Sequence, residues 1–260
     1  MIGWGVAIGS EEKYRQIALP GIERFRHPSE PLVEIRGRNS IFTAYNDILD
    51  ELLADERVEI AVLVHEDTEI RDARFEDKVR WALSDPHVAI VGTIGAVGVQ
   101  GIDWWVHDYG IGSTVLEPID PAILYETELL SGSEISGMGS SGEVDMVDGY
   151  LLAFSRWAMH ELRFDEETLG PGFHGYDADI CFQARERGRK VMAVTMDVAH
   201  HRNSVGPSHY REDWLRAQMA FRRKWERRGM LRPPRLPFPP YHKSAQDREQ
   251  EEREGGGGRA

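Results

Sequence analysis

The chain has 260 residues, 41% of them hydrophobic and 29% charged, which is enough apolar content for one large core or two small ones. Its formal net charge is −13, unevenly spread: residues 1–210 hold 18 Lys and Arg against 36 Asp and Glu, whereas residues 211–228 hold 7 against 3. The acidic body argues against nucleic acid as the main partner, and the single cysteine, Cys181, excludes an internal disulfide framework and a Cys-based zinc cluster.

No apolar run approaches the ~20 residues of a membrane helix. The opening MIGWGVAIGSEEKY has neither a basic n-region nor a long apolar h-region, so the expected address is cytoplasmic.

Residues 6–8 form a short apolar run that reads as a strand. Residues 11–25 are mostly polar, with Tyr14, Ile17, Ala18 and Ile22 near helical spacing, and Pro20 is expected to break that helix. Residues 32–35 are a second strand. Apolar positions at Ile41, Tyr45, Ile48, Leu49 and Leu52 predict a helix over 40–54, capped by Asn39 or Ser40. The nearly continuous apolar run 58–64 predicts a buried parallel strand.

A helix from Phe75 to Leu83 stops at Asp85-Pro86, and another buried strand follows at 88–91. Further strands are expected within 145–154 and 190–198, separated by a helix over 178–187 that Gly188 closes. This order predicts an α/β fold with a mainly parallel central sheet flanked by helices. The Gly/Ser-rich stretch 131–142 reads as a flexible loop or lid. Residues 1–230 are expected to form one domain, and the Pro-rich then charged and Gly-rich stretch 231–260 a disordered tail.

Five places could carry chemistry. His65-Glu66-Asp67 follows the buried strand, where open α/β sheets bind ligands. On an extended chain His65 and Asp67 share a side, so they can hold a divalent metal; a plain polar loop is the alternative. Gly92, Gly95 and Gly98 are spaced G-x-x-G-x-x-G with no helix following, which is not a dinucleotide fingerprint. Asp148-Gly149 is either a turn or a carboxylate and bare backbone set against a sugar. Asp177 is placed either to cap the helix or to act as a base; Asp179 diverges from it on a helix. His200 and His201 end a strand, and either one can face the crevice.

Together these segments resemble family 2 glycosyltransferases of the GT-A fold, more closely the bacterial branch with His-Glu-Asp in place of Asp-x-Asp. The matching stretches are SIFTAYNDILDEL, IAVLVHEDTEIRD, DPHVAIVGTIGAVG, DMVDGYLLAFSR and GFHGYDADICFQARERGRKVMAVTMDVAHH, in family order across about residues 4–204. The resemblance implies a Rossmann-like nucleotide-sugar half with a mixed acceptor half. It implies inverting transfer from a nucleoside-diphosphate sugar, with Asp177 as general base. His65 and Asp67 would stand in the metal–diphosphate motif and His200 would complete the site for Mn²⁺ or Mg²⁺, while the residues alone leave open whether His65 or His201 takes the place of His200.

By the same resemblance Ile8, Gly9, Ser10, Arg38, Asn39 and Glu66 lie near the donor, and Asp148, Gly149 and Tyr176 near sugar or acceptor. Ala7-Ile8-Gly9-Ser10 replaces the family's usual Pro-x-(Tyr/Phe)-Asn, and Tyr176-Asp177 replaces its Glu-Asp pair. Trp104, Trp105 and Trp157 offer apolar ring faces, either to a sugar or to the core. The expected acceptors are a glycan, a lipid-linked molecule or a small molecule. Residues 208–228 read as a basic amphipathic helix whose stripe of Trp214, Ala217, Phe221 and Trp225 packs on the domain or touches anionic lipid at the inner membrane face. Two rival functions remain, a metal-dependent phosphohydrolase and a non-catalytic nucleotide-sugar or glycan-binding module.

Overall fold

In the computed structural model, a seven-stranded sheet carries the core. The structure describes residues 1–102, 141–201 and 212–231, with the backbone of three short strands between them. In chain order the strands are β1 (Ile2–Ile8), β2 (Leu32–Arg36), β3 (Ile60–His65), β4 (Thr68–Ile70), β5 (Val88–Gly92), β6 (Ile94–Val97), β7 (Tyr109–Gly112), β8 (Val115–Leu116), β9 (Glu126–Thr127), β10 (Gly142–Val144), β11 (Met146–Val147), β12 (Leu151–Ser155), β13 (Lys190–Ala193) and β14 (Val198–His200). The main sheet runs β10-β13-β5-β12-β3-β1-β2. β1 pairs parallel with β2 and β3, and β13 parallel with β5. β12 lies antiparallel between β3 and β5, and β10 is an antiparallel edge. Five of the seven strands therefore point the same way, the mainly parallel arrangement expected, although β12 and β10 run against them and make three of the six strand pairs antiparallel.

Residues Ile60 to Val64 of β3 are all buried, as a central strand covered on both faces requires. The helix Ile41–Leu53 covers one face through Phe42, Tyr45, Ile48, Leu49 and Leu52. Ser40 stands at its cap position without a side-chain capping bond. The first helix differs from expectation. It runs through Pro20, from Glu11–Lys13 across a π turn at Tyr14–Ala18 to Leu19–Phe25. The Leu19 N–H reaches back to the Tyr14 carbonyl, five residues away, so the widened turn falls just ahead of the residue that lacks an N–H.

The expected strand over 190–198 is split. β13 stays in the main sheet, while β14 crosses to a four-stranded sheet beside β4. The expected strand over 145–154 is split too, into β11 of a three-stranded sheet and β12 of the main one. The helix expected from 178 begins two residues earlier, as Tyr176–Glu186. Residues 131–140, 208–211 and 232–260 lie outside the described residues, so the lid, the start of the basic helix and the tail stay as expectations. Among the described residues no helix is long and apolar enough to cross a membrane.

Candidate active site and metal centre

At the carboxyl ends of β1 and β3 the sheet opens into a cleft of about 230 Å³. Ile8, Gly9, Arg38, Ser40, His65, Glu66, Asp67 and Phe173 are among the residues lining it. β3 is apolar until Val64, so His65, Glu66 and Asp67 are the first polar groups where the chain leaves the sheet.

β14 brings His200 to the same place by pairing with β4, His200 opposite Thr68. Ligand atoms of His65, Asp67 and His200 all lie within 4.8 Å of one another. His200 Nε2 is 3.3 Å from Asp67 Oδ1. The His200 ring is stacked on Tyr150 at 4.7 Å between centroids. Its Nδ1 is buried and has no partner among the described residues. His201 turns the other way, with Nε2 3.1 Å from Glu69 Oε2. Two imidazoles and a carboxylate fit a first-row divalent cation, a softer choice than Mg²⁺.

The electrostatics suit ligation. Burial alone would raise the Asp67 carboxyl, but His200, His65 and Lys13 outweigh it and hold it well below the usual carboxylate range. Burial and then the His200 charge push the His65 imidazole down to about 4, leaving it neutral. Lys13, which sequence reasoning missed, places its Nζ 3.1 Å from Asp67 Oδ2. Nothing in the local pattern marks it, since the contact joins residues 54 apart.

Glu66 turns away from the candidate metal ligands. Its Oε2 accepts the backbone N–H of Gly9 at 2.5 Å and of Ser10 at 2.6 Å, tying the end of β1 to that of β3. Ser10 in turn caps the first helix, its hydroxyl accepting the Lys13 N–H at 3.4 Å. Arg38 is paired with Asp47 at 2.6 Å. Asn39 is exposed beside it.

Asp177 sits in the first turn of the helix Tyr176–Glu186. Gly175 makes the entry at φ 78°, where a Cβ would also meet Ile102 at 2.8 Å and Leu169 at 2.9 Å. Asp177 Oδ1 accepts the Ala178 N–H at 2.9 Å and Oδ2 the Gly149 N–H at 3.2 Å. Each oxygen keeps a lone pair, so capping does not consume the carboxylate. Burial first, and then the charge of Asp148, push its pKa up to about 7.

Tyr176 is buried, with its hydroxyl 2.7 Å from His65 Nε2. Gly149 passes so close that a Cβ there would strike that hydroxyl. The next residue, Tyr150, accepts the His65 N–H on its carbonyl at 2.9 Å. Segments 65–67, 148–150, 176–177 and 200 therefore touch one another. Trp104 and Trp105 lie outside the described residues, and Trp157 packs beneath Arg189 at 4.3 Å. Phe173, also missed, lines the cleft while 62% exposed.

The C-terminal helix is described over Glu212–Arg227 and buries Ala217, Phe221 and Trp225, with Trp214 partly covered. Asp179 diverges from Asp177 as expected and anchors this helix. It is 0% exposed and accepts from Lys224 Nζ at 2.9 Å, Trp225 Nε1 at 2.8 Å and Gln183 Nε2 at 2.8 Å.

A family model described as "Glycosyltransferase like family" matches residues 6–224. The chain belongs to this family of glycosyltransferases. It is 27% identical to the "Streptomycin biosynthesis protein StrF" of Streptomyces griseus over 241 residues, which are 86% of this chain and 75% of that protein. The solved structure of GalNAc-T7 with UDP, GalNAc and Mn²⁺ is similar at a TM-score of 0.52 and 12% identity, over 97% of this chain and 48% of that one. That likeness shows the GT-A fold. The protein is thus a glycosyltransferase enzyme, with a His/Asp/His group that could hold a metal ion.

Proposed function

We propose that residues 1–230 form one inverting glycosyltransferase unit that moves a sugar from a nucleoside diphosphate to an acceptor hydroxyl. The observation that carries this is the gathering of His65, Asp67 and His200 within 4.8 Å at the cleft, joined through the Tyr176 hydroxyl to the segment that holds Asp177. UDP and Mn²⁺ in the fold relative's structure support a nucleoside-diphosphate donor and a divalent cation, with Mn²⁺ the first to try. The relative named for streptomycin biosynthesis makes a small-molecule acceptor the first class to try, ahead of glycans and lipid-linked molecules.

In the displacement, the acceptor oxygen bonds to the anomeric carbon as the bond from that carbon to the diphosphate oxygen breaks. Asp177 takes the hydroxyl proton, and the diphosphate leaves with the bonding pair. A carboxylate poised near neutral pH is matched to that proton transfer. A divalent cation on His65, Asp67 and His200 would supply charge neutralisation for the diphosphate. Arg38, Ile8 and Gly9 form the cleft wall for the donor, and Glu66 shapes that wall by fixing the Gly9 and Ser10 backbone. Asp148 acts on Asp177 through its charge, and Phe173 offers a ring face at the cleft to sugar or acceptor.

The test separates the roles. Asp177→Asn should lower turnover by about 10²–10⁴-fold with donor affinity nearly intact. Asp67→Ala should abolish metal-dependent donor binding. Equal loss of donor affinity in both variants would overturn this division, and release of free sugar without any acceptor requirement would favour a hydrolase.

A further inference from the structure

We propose that Lys13 makes cation binding and diphosphate binding depend on each other; this rests on the metal-dependent reading above. Each oxygen of the Asp67 carboxylate has a cationic or imidazole partner in the structure, His200 Nε2 on Oδ1 at 3.3 Å and the Lys13 ammonium on Oδ2 at 3.1 Å. The pair is shielded, Lys13 being 20% and Asp67 15% exposed at the side chain. A divalent cation on Asp67 and the two histidines meets this ammonium at close range. The two positive charges repel across that one carboxylate.

The backbone under Lys13 is fixed. Its N–H rests on the Ser10 hydroxyl, and the Ser10 N–H rests on Glu66, next to Asp67 in the chain. Only the flexible stem of Lys13 is free to move. A nucleoside diphosphate resolves the conflict, because its phosphate oxygens give the ammonium a new acceptor while the cation takes Asp67. Lys13 therefore disfavours the cation alone and favours cation and diphosphate together. By linkage the same factor must appear in the diphosphate affinity when the cation is added. Lys13 then sits on the leaving diphosphate as a donor-binding residue, where its charge offsets the charge that develops.

The experiment is a Mn²⁺ titration of the full chain, read by electron paramagnetic resonance. It is done with Mn²⁺ alone and with a saturating amount of whichever of UDP, GDP and dTDP binds most tightly. The coupling factor is the ratio of the two Mn²⁺ dissociation constants. In Lys13→Met this factor should fall by at least about fivefold, with Mn²⁺ alone bound more tightly than in wild type. Lys13→Arg, which keeps the charge, should retain the coupling. Lys13→Gln repeats the comparison if the Met variant does not fold. An unchanged or larger coupling factor in the neutral variants overturns the role of Lys13 and leaves the metal site standing. A wild-type chain that binds neither Mn²⁺ nor any of the three nucleotides overturns both.

Discussion

The hydroxyl of Tyr176 meets Nε2 of His65 at 2.7 Å, which joins the residue before the proposed base to one of the three candidate metal ligands. By the resemblance Tyr176 stands where the family's Glu-Asp pair has its first member, and in this chain its hydroxyl holds the ring of a candidate ligand in place. A partner on the other nitrogen of a ligating imidazole fixes the ring and its tautomer.

Tyr176→Phe keeps the ring packing against Phe42 and Tyr45 but removes this bond. Mn²⁺ affinity should fall by about 10–100-fold, the usual cost of losing such a partner. A Mn²⁺ titration with a melting curve on the same sample checks it: the affinity should drop while the fold persists.

Asp177 gives a pH signature in two readouts of opposite sign. Its carboxyl is raised from 3.8 to about 7, so the folded chain holds that proton more tightly than the unfolded one. Its contribution to stability is full at low pH and is lost as pH rises through about 7. Turnover should instead rise through the same range, as the base ionises. Asp177→Asn should remove the rising limb of the rate profile and raise the melting temperature more at pH 8 than at pH 5.

Much of this architecture is legible in the sequence. The spacing of Ile41, Tyr45, Ile48 and Leu52 and the apolar run before His65 are local signals, and both elements form. The gathering of Asp67 and His200 is not local; it came from resemblance, because only the pairing of β14 with β4 brings them together. Pro20 misled because the breaker rule assumes an α register, whereas the π turn before it removes the conflict. The split of 190–198 was hidden because both halves are apolar and the change of sheet is a tertiary event. Asp179 reads locally as a first-turn residue; its burial depends on Lys224 and Trp225 returning from far along the chain.

That buried contact carries a stability prediction. Asp179→Ala leaves the Lys224 ammonium, 8% exposed, with part of its pairing removed. Lys224 keeps Asp165 at 2.7 Å, so the loss should be about 1–3 kcal/mol, read as a lower urea midpoint. Asp179→Leu combined with Lys224→Met should be less damaging than Asp179→Ala, because the carboxylate then left without its ammonium is Asp165, which is 26% exposed and keeps the Thr168 N–H.

The C-terminal helix makes a prediction about membranes. Phe221 and Trp225 are both 0% exposed, so the aromatic stripe is not available for insertion. What remains exposed includes the cationic pair Arg223 and Arg227, Arg228 being paired with Glu186 at 2.6 Å, beside the scattered apolar Leu215 and Met219, and salt screens such attraction. Flotation with anionic vesicles should detect at most weak binding at low salt and none at about 0.15 M.

Calorimetric titration of UDP-, GDP- and dTDP-sugars, with and without Mn²⁺, tests the metal-dependent transferase most directly. At least one donor should bind in Mn²⁺ and fail to bind in EDTA. Asp67→Ala should lose that binding and Asp177→Asn should keep it. Donor binding that is equally strong in EDTA, or that survives Asp67→Ala unchanged, would contradict the assignment of His65, Asp67 and His200 as the cation site.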